Sequence, residues 1–154
     1  MSIYLAALLI GVVAGLRTMT APAAVSWSAY LGGLPLQNTP LAFLGATATP
    51  YILTVLAIAE LVTDQLPKTP SRKTPVQFGA RLVSGGWCGA AIGAAGGALV
   101  GGLVAGVVGA VIGTLGGYEA RVRLAKAMGS DRPAAFLEDF VAIGGAALIM
   151  TLLA

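Results

Sequence analysis

Seven ionisable residues stand at or beside long uncharged stretches of this sequence: Arg17, Glu60, Asp64, Arg81, Glu119, Glu138 and Asp139. Glu60 and Asp64 are four apart, so on a helix they share one face. Glu138 and Asp139 open the last apolar segment, where a helix N-terminus favours negative charge. Arg17 precedes Thr18-Met19-Thr20-Ala21-Pro22, in which Thr20 is placed to cap a new helix and Pro22 to sit in its first turn. Carboxylates meeting an arginine in a poorly solvated place support two chemistries. They form fixed pairs, Arg17 and Arg81 neutralising Glu60 and Glu138 while Asp64 and Asp139 reach water. Alternatively they form a gate or coupling-ion site, in which carboxylates take up a proton or cation and the arginine tunes them. Arg17, Thr18, Thr20, Glu60, Asp64, Arg81, Glu138 and Asp139 are therefore the binding or gating candidates.

Other chemistry is restricted by what is missing. The chain has no histidine, so Ser-His-Asp and Cys-His arrangements cannot be built and no enzymatic activity is expected. A metal would have to be held by carboxylates or backbone oxygens, and neither a metal nor another cofactor is expected. Cys88 is the single cysteine, which excludes an intramolecular disulfide.

The elements carrying these residues are apolar. Of 154 residues, 57% are hydrophobic and only 10% charged, with a mean hydropathy of +0.89. Soluble domains carry roughly 25% charged residues, so a water-soluble globule is excluded on composition. Disorder requires polar, charge-rich sequence, and the 22 glycines lack a three-residue collagen register. The net charge of +3 forms no basic face, so no nucleic-acid partner is expected. The reading is a single integral-membrane domain over residues 1–154, all-α, a polytopic transmembrane bundle whose partner is the lipid bilayer.

At about 1.5 Å per residue and about 30 Å of hydrocarbon, a crossing needs roughly 20 apolar residues. Ser2 to Leu16 forms the first segment; it lacks a basic leader and is read as a membrane helix rather than a cleaved signal. Ala21 to Leu31 is a short second piece stopped by Gly32-Gly33. Either one helix is broken near Arg17 or two short helices meet at a membrane face. Ala48 to Leu66 is a span, followed by a loop rich in proline and cations from Pro67 to Pro75. Leu82 to Leu115 is too long for one crossing and predicts a hairpin bent near Gly96-Gly97 or Gly101-Gly102. Its second arm continues into water through Tyr118 to Lys126, and Ala134 to Leu153 is the last span. Five to six short helices result, and six is preferred because it places Arg17 at a membrane face.

Eight of the nine cations lie in residues 68–81 and 121–132, which puts loops 67–81 and 121–132 on the cytoplasmic side and the linker 32–47 outside. Trp27, Tyr30 and Tyr51 are expected at the outer boundary, Trp87 and Tyr118 at the inner one. Gly85, Gly89, Gly93, Gly97 and Gly101 recur every four residues, as do Gly109, Gly113 and Gly117. Such spacing lets helix backbones approach closely. Packing within the hairpin is the preferred reading of this stripe, a homodimer the alternative. Gly15-Leu16-Arg17 and Gly79-Ala80-Arg81 each precede an apolar hairpin closed by a glutamate, Glu60 or Glu119, a faint repeat of the kind some transporters use.

The stretches GLRTMTAPAAVSW (Gly15 to Trp27), ELVTDQLPKTPSR (Glu60 to Arg72) and LEDFVAIGG (Leu137 to Gly145) resemble, in order and spacing, a family of small bacterial multi-pass membrane proteins catalogued as a domain of unknown function. The resemblance covers nearly the whole chain. It implies an inner-membrane location and marks Arg17, Thr20, Pro22, Glu60, Asp64, Pro67, Pro70 and Arg72 as motif positions, without implying an activity. Two functions compete: a transporter or channel for a small solute or ion, and a non-transporting scaffold or partner-binding protein packed through its glycines.

Overall fold

A computed structural model of the chain describes residues 2–63, 75–129 and 131–153, the side chains at 131 and 132 excepted. Among these residues the protein is all-α: α1 (Ile3–Leu16), α2 (Thr20–Tyr30), a 3-10 turn (Ala42–Gly45), α3 (Ala48–Thr63), α4 (Pro75–Ala95), α5 (Leu99–Met128) and α6 (Asp131–Leu153). Two of these, α5 and α6, are long and apolar enough to cross a membrane; α1 and α3 are apolar but shorter. Asp64, Pro67, Pro70 and Arg72 lie outside the described residues.

Contacts along the helices fix their directions. Gly11 lies against Gly106 and Gly15 against Gly113, so α1 runs parallel to α5. Gly85 faces Gly106 and Gly93 faces Ala98, so α4 runs antiparallel to α5, and the hairpin turns at Gly96-Gly97, where Gly97 has φ 77°. Arg17 at Asp139 and Val13 at Gly145 make α6 antiparallel to α1 and hence to α5, and Thr18 at Glu60 with Trp27 at Thr54 makes α3 antiparallel to α2. Every described charged residue, from Arg17 and Glu60 to Glu138 and Asp139, therefore falls at one end of the bundle. The opposite end, formed by residues 31–47, 95–99 and 150–153, has none.

The core is a seam of α1, α4 and α5 built on glycine. A methyl at Gly106 would overlap the Gly85 carbonyl oxygen, at Gly109 that of Leu8, and at Gly113 that of Val12. Gly85, Gly89 and Gly93 are buried against the opposing α5 backbone, so this stripe packs within the chain. Two members of the expected stripe do other things. Gly97 is a turn residue with open space around it, because the hairpin bends there, and Gly101 faces the ring of Tyr4. Gly117 lines a small cavity between α5 and α6. Gly11, Gly15, Gly102 and Gly106 complete the seam instead.

Some boundaries also move. Helix α4 begins at Pro75, not near Leu82, because proline suits a first turn and Val76 to Ala80 carries no breaker stronger than Gly79. Arg81 is thus inside a helix rather than in a loop. Trp87 stacks on Phe43 of the 3-10 turn, with ring centroids 5.8 Å apart. That places it toward the uncharged end, contrary to its expected position beside Tyr118. Trp27 packs edge-on to Tyr30 and Tyr51, at 5.8 and 5.1 Å.

Candidate functional site

Between α1 and α2 the chain breaks for three residues, Arg17 to Met19, and the break frees backbone groups that need partners. Side chains from the other helices supply them. Thr18 and Met19 each donate a backbone N–H to the Glu60 carboxylate, both at 2.7 Å. The Gly15 carbonyl accepts from Arg81 Nη1 at 2.7 Å and from the Thr114 hydroxyl at 3.4 Å, and the Thr18 carbonyl accepts from Ser84 Oγ at 2.5 Å. Thr20 does not cap α2: the helix starts at Thr20 and its N-cap position is Met19, without a side-chain bond, while the Glu60 carboxylate holds the two N–H groups just before the first turn. Thr20 is 7% exposed, and its hydroxyl is buried with no hydrogen-bond partner.

Arg17 itself is fully buried. Its Nε donates to Asp139 Oδ1 at 2.5 Å, and its terminal Nη2 also pairs with that oxygen. The expected pairings are therefore exchanged. Asp139, expected in water, holds Arg17; Glu60 holds the backbone; Glu138, expected beside Arg81, has Arg121 at 3.8 Å. The reason is helical: adjacent residues point about 100° apart, so Asp139 can face α1 only while Glu138 faces α5. Glu119 is exposed. Asp64 lies outside the described residues.

The structure therefore brings together Arg17, Thr18, Glu60, Arg81 and Asp139 around one break. Ser84 and Thr114 were not anticipated. Ser84 is three residues after Arg81 and so shares its helix face, a usable signal; nothing in the sequence singles out Thr114.

Beside the break lies a cleft of about 640 Å³ between α2, α3 and α6. Its walls include Ala23, Ala24 and Trp27 of α2, Ala57 and Ile58 of α3, and Ala146 and Ala147 of α6, with Thr20 at the inner end. Helix α3 packs on α2 and the 3-10 turn and has little contact with α6, which leaves the cleft between them. Both walls are fastened at the same place: α3 through Glu60 to Thr18 and Met19, α6 through Asp139 to Arg17. No grouping of acids or cysteine able to hold a metal exists among the described residues. No family model, curated protein or solved structure matches the chain significantly.

Glu60→Gln keeps one acceptor oxygen where two N–H groups need one each. An unsatisfied buried donor costs about 1–3 kcal/mol, so the variant is expected to unfold at lower temperature in detergent, with α3 loosened first. Unchanged melting would show that the two N–H groups do not depend on the carboxylate.

Proposed function

We propose that the chain is a six-span inner-membrane protein, charged end in the cytoplasm, that acts as a small transporter whose solute moves along the cleft beside the broken helix. The observation carrying this reading is that both cleft walls are latched by carboxylates to one three-residue break. Breaking either latch loosens a wall at its charged end, and a wall able to shift there is what an alternating path requires. Irregular backbone at membrane depth is tolerated where protein satisfies it, as Glu60, Arg81 and Ser84 do at this break.

The membrane reading also accounts for the charge distribution. Along α5, Thr114 lies about 7 Å from Glu119 and about 23 Å from Leu99. With Leu99 at the outer boundary, Glu119 reaches the inner one, and the Arg17 cluster sits just inside the hydrocarbon. Buried, paired charges and a cationic rim on the cytoplasmic side are then expected. The exposed apolar side chains of α3 and α6, among them Ile52, Val55, Phe140 and Leu148, face lipid. A scaffold acting through the glycine stripe has less support, since that face is already filled by α5.

Proteoliposomes test the proposal with a panel of protons, potassium, polyols and a short-chain fluorescent monoacylglycerol. At least one member is expected to move ten times faster than in protein-free vesicles, and Glu60→Gln, still inserted and folded, to change that rate tenfold. No acceleration for any member, or a rate indifferent to Glu60, would overturn it.

A further inference from the structure

The cleft's shape and chemistry specify its occupant more closely than transport alone does. From Thr20 to Leu31 its α2 wall spans about 16 Å, half of a 30 Å hydrocarbon layer. That is the length of one extended lipid chain, and 640 Å³ lies within the range of about 300–1,000 Å³ typical of small-molecule sites. Alanines on α2, α3 and α6 leave the width, while Ile58, Leu61, Ile143 and Met150 offer hydrocarbon contact. Because α3 and α6 make little contact with each other, the cleft opens between them along the side of the bundle.

Polar lining groups decide the head of the occupant. Thr54 accepts from Trp27 Nε1 and donates to the Pro50 carbonyl, and Thr151 donates to the Ala147 carbonyl. Ser28 lines the far end and is only half-buried; Thr20 differs: it lines the inner end, is more than nine-tenths buried, and its hydroxyl has no partner. Threonine in a helix populates two χ1 rotamers, and rotation exchanges its methyl and hydroxyl at the cleft surface. The nearby charges are committed, Glu60 to two N–H groups and Asp139 to Arg17. Among the described residues a charged head at Thr20 would find no uncommitted counter-charge, and it would pay desolvation in hydrocarbon. A neutral group with an acceptor oxygen would find a donor.

We infer that the cleft binds a single-chain, uncharged amphipath, its chain lying between α3 and α6 and its hydroxyl or carbonyl group at Thr20. This rests on the membrane reading above but not on transport. Trp27 is in the lining and reports occupancy, once Trp87→Phe leaves it as the sole tryptophan. The protein in mild detergent is titrated with chain-brominated monoacylglycerol, and with a fatty acid at alkaline pH and an alkyl trimethylammonium carrying the same chain. Saturable quenching by the neutral probe is expected at concentrations at least tenfold lower than for either charged one. Ala147→Phe, on the cleft wall, should abolish it. Thr20→Val removes a buried hydroxyl that has no partner, so the melting temperature should hold or rise while neutral-probe binding weakens about tenfold, the loss of one hydrogen bond. Equal quenching by all three heads, preference for a charged probe, quenching that survives Ala147→Phe, or binding indifferent to Thr20→Val would each overturn the inference. Selective quenching without flux in proteoliposomes would uphold it and defeat the transporter; flux without selective quenching would do the reverse.

Discussion

A leucine at Gly106 is expected to prevent the bundle from assembling. The new side chain would start where the Gly85 carbonyl oxygen stands and meet the Gly89 backbone beyond it. Overpacking costs typically about 1–3 kcal/mol when neighbouring side chains can turn aside. Here the neighbour is helix backbone, which can yield only by separating α4 from α5, so the cost should exceed that range. The same argument applies to Gly109 against Leu8 of α1. Gly116 and Gly144 supply the control, because a Cβ at either meets nothing within 4 Å. Leucine at those two positions should leave yield and melting temperature near wild type, while Gly106→Leu should give aggregated or degraded protein. Similar behaviour of all three variants by size-exclusion chromatography would contradict the close approach of α1, α4 and α5.

Cutting the Arg17–Asp139 pair is the second large effect. Arg17 is fully buried, so Asp139→Ala strands a guanidinium away from water, and breaking a buried pair from one side costs about 3–5 kcal/mol. Removing both charges together is far cheaper, since neither is left to be compensated. Arg17→Met with Asp139→Ala should therefore recover most of the stability lost by Asp139→Ala alone. Thermal unfolding of the two singles and the double in one detergent gives the coupling. Additive losses would mean that the two side chains do not depend on each other.

Much of the fold is legible in the sequence because its signals are local. Pro22 and Pro50 mark helix starts, Gly32 and Gly129 carry positive φ just past α2 and α5, and the length of the 82–115 stretch forces a hairpin. Pairing is not local. Arg17 and Asp139 are 122 residues apart, and which of two adjacent acids faces α1 depends on the rotation of α6, set by packing rather than by spacing. The four-residue glycine rule finds Gly85, Gly89 and Gly93, but it also selects Gly97, which the turn takes; Gly11 with Gly15 and Gly102 with Gly106 obey the same spacing, yet as isolated pairs they do not stand out in a glycine-rich chain. The cleft had no sequence signal of its own. It exists because α3 and α6 pack on α2 with little contact between them, a property of arrangement.

Sidedness tests the proposed membrane reading most directly, since that reading puts all the described charged residues toward the cytoplasm and the uncharged end outside. In a Cys88→Ser background, single cysteines at Gln37, Ala98 and Lys126 are labelled in intact cells with a membrane-impermeant maleimide. Positions 37 and 98 should react from outside, and position 126 only after permeabilisation. Labelling of position 126 alongside the other two in intact cells, or recovery of the protein in the soluble fraction, would contradict it.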